Sequence, residues 1–483
     1  MLTFILRRIA LGFLVLTLAT ALLYVLVQLA PGDPASAMLG PRASPKIKAE
    51  FREKLGLDQP MPVQIVNYLI AVGQGDLGTD LKTKRPVLQT IAANAPHTIE
   101  LVGAALLLAA ALGIPLGAAA AVRRNSWFDR ALGVVSVSLI SIPPVVISIY
   151  GMLLFSAHLG WLPAIGAGQG EGVWGNLRHL LMPAFAVGIG WVGYIARLVR
   201  ASMVEVLGAN YIRNARSFGL PERMVTYRYA LRAAIAPTIA VLGVGVGYML
   251  GSATFAEIVF ARPGIGKMMY DAVTLRNSPV TLGAVLCATA LMVAATTLAD
   301  ILNAALGPRW LDHVLVLAFD TVRSYPVIIL ALAIGPIFGG GMVVLMGLLV
   351  ATSVPYYARV MRSSVIAQAP ADYVEALRAM GMGRIRIAFR HILPNVIGPI
   401  LILASMDIPG FIMAEAGVSF LGVGVKAPAT SWGMILDQGF RFIGHTPWLV
   451  MAGGLPLILA TLGFTFLGEA LRDAFDPKLK RRG

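Results

Sequence analysis

Ten stretches of roughly 20 apolar residues, the length a helix needs to cross a bilayer, divide the chain. They fall at about 9–30, 97–121, 131–156, 179–200, 234–257, 279–303, 314–335, 342–361, 396–416 and 447–470. A soluble globule could not bury that much apolar surface, because 57% of the 483 residues are hydrophobic and 13% charged. A backbone inside hydrocarbon must satisfy its own hydrogen bonds, and a helix does so within one segment. The chain therefore reads as an all-α, ten-span membrane protein embedded in the lipid bilayer.

The net charge of +15 does not indicate nucleic acid, since the basic residues sit at the ends of the apolar runs rather than in one patch. Counted by loop, the side that holds the termini carries 24 Lys and Arg and the opposite side 14, eight of these in the single long loop 31–94. The positive-inside rule weakens in long loops, so both termini are expected to be cytoplasmic. Arg7-Arg8 and the apolar run after them read as an uncleaved first span. Cys287, the one cysteine, offers neither a disulfide nor a thiolate cluster.

A basic segment between apolar runs occurs twice, 162 residues apart, without a gap: Tyr194/Tyr356, Arg197/Arg359, Arg200/Arg362, Tyr211/Tyr373, Arg216/Arg378, Gly219/Gly381, Arg228/Arg390 and Pro237/Pro399. The repeat extends outward. Trp127, Asp129, Ser141 and Pro143 match Trp310, Asp312, Ser324 and Pro326; Glu257, Gly264 and Gly266 match Glu415, Gly422 and Gly424. Residues 127–303 and 310–470 are thus two parallel copies of one four-span unit, and nothing in the second copy answers to residues 1–126. Parallel copies argue against an inverted-repeat secondary transporter driven by an ion gradient.

Within each repeated segment a short helical stretch stops at a glycine, Gly219 or Gly381, which supplies the left-handed backbone for a sharp turn. The expected product is a surface helix across the span ends that a partner's groove can grip. Other motifs carry less. Gly188-x-Gly190-x-x-Gly193 matches a dinucleotide fingerprint by letter but lies in an apolar span, where close helix packing explains it. Gly266-Lys267-Met268 lacks the hydroxyl and the upstream glycine of a phosphate loop, so no ATP site, cofactor or catalytic residue is expected on this chain. Glu257, Glu415, Asp320, Arg323 and Asp407 are ionisable groups inside spans, for which structural pairing and a pathway role both stand. The histidines form no close i, i+3 or i+4 pair, so no metal site is expected. In the loop 31–94, basic residues from Lys46 to Lys54 interleave with Ile47, Phe51, Leu55 and Leu57, which fits an interfacial helix or a docking surface.

The segments near 197–232 and 359–394 resemble the EAA loops of ABC-importer permeases. Pro31-Gly32-Asp33-Pro34, Gly75-Asp76-Leu77-Gly78, Ala196 to Met203 and Phe260 to Gly266 resemble the B-type permease of dipeptide, oligopeptide and nickel importers. Arg390 to Asn395, Ser419 to Gly424, Ser431-Trp432-Gly433 and Leu471 to Pro477 resemble its C-type partner. The resemblance implies the type I ABC-importer (MetI-like) transmembrane fold, with a B-type half at 1–306 fused to a C-type half at 307–483 that lacks its first two spans. It implies that Arg197, Arg200, Tyr211, Arg216, Gly219, Arg228, Arg359, Arg362, Tyr373, Glu375, Ala376, Gly381 and Arg390 form surfaces that couple to two ABC ATPase subunits. It also implies an extracytoplasmic solute-binding protein as partner, and peptides or peptide-like solutes as cargo in the bacterial inner membrane. Import of nickel or another small solute, a second permease chain as partner, and a non-transporting remnant remain alternatives on the sequence.

Overall fold

A computed structural model describes residues 2–28, 44–47, 49, 58–80, 82–275, 277–302, 325–335, 338–368, 370–426 and 428–475. Among these there is no strand, only an isolated bridge between Thr79 and Pro86. The first half holds α1 (Leu2–Gln28), α2 (Met61–Gly73), α3 (Val87–Val122), α4 (Trp127–Ser141), α5 (Pro144–Gly151), α6 (Gly172–Leu207), α7 (Asn210–Ser217), α8 (Ala236–Val259), α9 (Ile265–Thr274) and α10 (Ser278–Leu302). The second holds α11 (Val327–Ile334), α12 (Met342–Gln368), α13 (Asp372–Ala379), α14 (Leu393–Phe420), α15 (Trp432–Arg441) and α16 (Trp448–Phe475).

Four stretches, Val87–Val122, Gly172–Leu207, Met342–Arg362 and Trp448–Leu471, are long and apolar enough to cross a membrane. Two bent pairs raise the number to six: Trp127–Ser141 with Pro144–His158, at 94°, and Pro237–Gly243 with Gly245–Val259, at 41°. The runs expected at 9–30 and 279–303 overlap shorter apolar helices, Ala10–Leu22 and Pro279–Ala294. The run at 396–416 lies within α14, and 314–324 lies outside the described residues. The 94° bend follows from Pro143 and Pro144: Ile142 is extended, Pro143 takes ψ 137°, and Pro144 opens the next helix at a position where its missing N–H costs nothing.

α3 and α6 form the tightest pair in the first half. A Cβ on Gly188 would lie 2.8 Å from the Ala105 carbonyl oxygen, and one on Gly113 would lie 2.9 Å from Ile195 Cβ. Gly117 sits equally close over Ala196 and Val199. Lipid tails are as apolar as leucine, so such close backbone approach is what holds membrane helices together.

The halves join reciprocally. α4 and α5 meet α16, where Ser141 Oγ lies 2.8 Å from Thr465 Oγ1 and the Tyr150 hydroxyl donates to the Val450 carbonyl at 3.4 Å. α11 lies against α8, α9 and α10 of the first half, and the Tyr325 hydroxyl donates to the Ala19 carbonyl of α1. α8 and α14 touch at their Glu-bearing ends, where Phe255 packs on Gly417 and on the Phe420 ring at 6.4 Å, and Phe420 meets Phe440 at 5.8 Å.

Gly188→Val forces α3 away from α6 against backbone that cannot give, at a cost of about 1–3 kcal/mol. The expected result is a lower thermal unfolding midpoint in detergent, whereas Gly133→Val, at a position with open space around it, leaves the midpoint nearly unchanged. Equal midpoints for the two variants would contradict the close α3–α6 contact.

Candidate functional site

α6 runs on beyond its apolar window and turns at Gly208 into α7, whose Ile212 and Ala215 are buried with Val199, Met203, Val225 and Ala230. Gly219, at φ +73°, reverses the chain after α7, and Gly381, at φ +78°, does so after α13. Any other residue there is strained. α13 buries Val374 with Ile387, Ile392 and Val396. Each segment therefore has its own small core beneath a helix whose outer face is open.

The exposed faces differ in charge. α7 presents Arg213 and Arg216 with no acidic residue, while α13 presents Asp372 and Glu375 against Arg378. Both end in an exposed apolar tip just before the glycine, Phe218 (84% exposed) and Met380 (71%). Sequence reasoning passed over these two, although the 162-residue register pairs them. The groove beside α13, an open cavity of ≈ 880 Å³, is lined by Gly383, Ile385, Arg386, Phe389 and Arg390.

Of the residues expected to form this surface, Tyr211, Arg216, Arg228, Glu375, Ala376 and Arg390 are exposed. Arg216 is held by Glu222 at 2.7 Å. The Tyr373 hydroxyl, partly buried, donates to Gln368 Oε1 at 3.3 Å and accepts from Asn395 Nδ2 at 3.4 Å. Arg362 is partly buried in α12, and the Arg359 side chain lies outside the described residues. Arg197 and Arg200 point elsewhere. Arg197 crosses to the second half and pairs with Glu469 of α16 at 2.6 Å. Arg200 takes both carboxylate oxygens of Asp129, the second at 2.7 Å, and so ties α6 to the start of α4. Asp129 is buried and also accepts from the Asn125 amide at 2.9 Å, while Ser126 caps the same helix start.

At the opposite end the ionisable groups are internal. Glu257 is fully buried, accepts from Thr98 of α3 at 2.5 Å and from the Lys267 amide at 3.0 Å, and so closes the N-terminus of α9. Arg262, also fully buried, pairs with Glu100 of α3 at 2.6 Å. Glu415, the repeat counterpart of Glu257, accepts instead from Ser419 of its own helix at 2.6 Å. Asp407 accepts from the Tyr357 hydroxyl at 2.7 Å; Asp320 and Arg323 lie outside the described residues. In the connection before α3, burial acts to raise the Asp80 carboxyl, but bonds from Thr83, the Lys82 amide and Asn277 outweigh it and leave it below the usual range.

Two outcomes follow. Asp129→Ala leaves Arg200 without its partner; the cost is about 2 kcal/mol, between an exposed pair and a fully buried one, read as a lower unfolding midpoint than Arg216→Ala produces. For Asp80 the folded carboxyl is the stronger acid, so its contribution is full above its unfolded value of about 4 and is lost as pH falls through the lower folded value. Proteolysis at Lys82–Arg85 should accelerate only in acid below about pH 4, and Asp80→Asn should abolish that pH dependence.

Known proteins resemble this chain over most of its length. Residues 113–310, and again residues 306–481, match the family described as "Binding-protein-dependent transport system inner membrane component". Residues 1–102 match the N-terminal region of such membrane components. The chain is 33% identical over 330 residues to the dipeptide transport system permease protein DppB of Alkalihalophilus pseudofirmus, covering 64% of this chain and 99% of that one. It is 36% identical over 309 residues to the glutathione transport system permease protein GsiC of Salmonella choleraesuis, covering 64% and 98%. Similarity to the probable D,D-dipeptide transport system permease protein DdpB of Escherichia coli is 36% over 308 residues, covering 59% and 91%.

Proposed function

The chain belongs to the binding-protein-dependent transport system inner membrane components, multi-pass proteins of the bacterial inner membrane, and we propose that it is the permease of an ATP-driven importer of peptides or peptide-like solutes. Relatives named for dipeptide, glutathione and D,D-dipeptide transport support that cargo. In this reading residues 1–306 are a B-type half and 307–483 a shortened C-type half. Its ten spans would put both termini on one side, and the excess of Lys and Arg on that side supports the cytoplasm. Permease subunits of this family are not themselves enzymes, so ATP is hydrolysed on partner subunits, and a solute-binding protein delivers cargo to the outer face.

One observation carries the proposal: the same helix-and-glycine knob is built twice, each on its own small core, with an exposed apolar tip. A loop that served topology alone needs arginines but no ordered core. Two ATPase subunits closing on ATP would press α7 and α13, and the pathway would change the side to which it opens. The contacts must differ between the two states, because only a differential interaction shifts an equilibrium. The opposite charges of the knobs support two chemically distinct docking grooves. Phe255, Phe420 and Phe440 then close the pathway at its outer end.

Reconstituted with its ATPases and binding protein, the chain carrying Gly381→Pro or Glu375→Arg should reach the membrane at the normal level and lose ATP-dependent uptake. Uptake that survived both changes would falsify the coupling role of α13. Uptake without ATP by the purified chain would instead point to an ion-driven carrier.

A further inference from the structure

α12 is the second-half counterpart of α6, yet the two are covered to very different extents: 61% of the apolar window of α6 is buried and 12% of that of α12. The difference is α3. In the first half it lies along α6, with Ala105 on Gly188 and Gly113 on Ile195. After residue 310 the sequence has no equivalent of α3. The α6 positions Ala184, Gly188 and Val192 are all buried; at the same register α12 carries Met346, Val350 and Val354, which are 57%, 61% and 51% exposed. Gly347 and Ala351 lie on the same stripe, and nothing lies within 4 Å of a Cβ on Gly347.

Lipid can cover an apolar stripe, but it cannot solvate a carboxylate. Asp407 lies near the middle of α14, eight residues and about 12 Å of helix axis from Glu415. It is partly exposed and accepts from Tyr357 of α12 at 2.7 Å; among the described residues no cation pairs with it. In the repeat, Tyr357 takes the place of Ile195, which is fully buried beneath Gly113 of α3, and Asp407 stands eight residues from both Pro399 and Glu415, where α8 has the buried Gly245 or Met249. The first half thus holds only apolar residues at this register, with a helix over Ile195, and the second leaves a carboxylate uncovered there. A charge at that depth is costly and is found paired or facing water.

We infer that the α12–α14 face is closed in trans by a membrane helix of a different polypeptide, which lays small residues along Met346, Val350 and Val354 and sets a mid-span Lys, Arg or His against Asp407. Charge complementarity selects this occupant over a second copy of the chain. The α3 of a second copy already covers its own α6, the cations of the described helices lie toward their ends, and Arg323, inside the expected span 314–335, stands three residues from Asp320, a spacing at which the two pair with each other. The inference is independent of the cargo and of the ATPases.

The test is photo-crosslinking of the full-length chain in its native membranes. A photoreactive residue is placed at Val350 or Val354, and at Leu107 on the exposed side of α3 as a control, and the cross-linked peptides are mapped by mass spectrometry. The expected product at both α12 positions, absent at Leu107, joins the chain to a transmembrane segment of another protein with Lys, Arg or His at mid-span. Asp407→Leu should lower its yield about three- to tenfold, the range of one interhelical hydrogen bond in a membrane. Cross-links only to lipid, within the chain, to a second copy, or to a segment without a mid-span cation overturn the inference, as does a yield indifferent to Asp407→Leu. If that variant fails to accumulate, the cross-links of the otherwise unaltered chain decide.

Discussion

Helices in hydrocarbon gain nothing by hiding apolar side chains from one another, so the bundle depends on how closely backbones approach and on a few polar ties. In the first half that dependence falls on α3 and α6. Glycines 113, 117 and 188 let the two helices touch along several turns, and Glu100 of α3 accepts from Asn176 near the start of α6 at 2.6 Å. α6 is 36 residues long, about 54 Å at the α-helical rise. After the turn at Gly208 and Ala209 it passes into α7, whose buried Ile212 packs back on Val199 and Met203 of α6. A push on α7 is therefore a push on α6 and, through the glycine contacts, on α3.

The halves are joined at both ends of this rod system by chemically different contacts. Toward α7, Arg197 of α6 holds Glu469 of α16, and Arg200 holds α4, the helix that lies against α16. At the opposite end the contact is aromatic, Phe255 on Phe420 and Phe420 on Phe440. An ion pair keeps much of its attraction over a small separation, whereas ring packing loses about a quarter to a half of its dispersion attraction once surfaces part by about an ångström.

The 162-residue register made the two glycine-ended helices α7 and α13 legible, because Gly219 and Gly381 must reverse the chain at the same point and leave the same letter. The same register carried Phe218 and Met380, unlike in letter and so unread. The roles of Arg197 and Arg200 were not legible, since their partners stand 272 and 71 residues away in sequence and no local pattern marks them. The bend at Ile142 was present as Pro143-Pro144, but an apolar run scored as a whole hides a corner inside it. α2 escaped notice because the charged residues of 31–94 drew the eye, although Met61–Gly73 is itself apolar.

The lack of an α3 counterpart also accounts for how the repeat diverges at its Glu-bearing end. In the first half α3 supplies Thr98 to Glu257 and Glu100 to Arg262, so a carboxylate and a guanidinium can both be fully buried there. Without Glu100 a buried arginine would be an unpaired charge, and without Thr98 the carboxylate would need another donor. At the equivalent positions the second half has Phe420 in place of Arg262 and Ser419 in place of Ala261. Ser419 donates to Glu415, and Phe420 enters the aromatic contact with Phe255. Two substitutions thus let that end close without a covering helix. At the register of Asp407 the change runs the other way, from buried apolar residues to a carboxylate with only a tyrosine hydroxyl. A half that had adapted throughout to the missing span would hold an apolar residue there, and so the mid-membrane face of α12 and α14 is the place where the missing helix still matters.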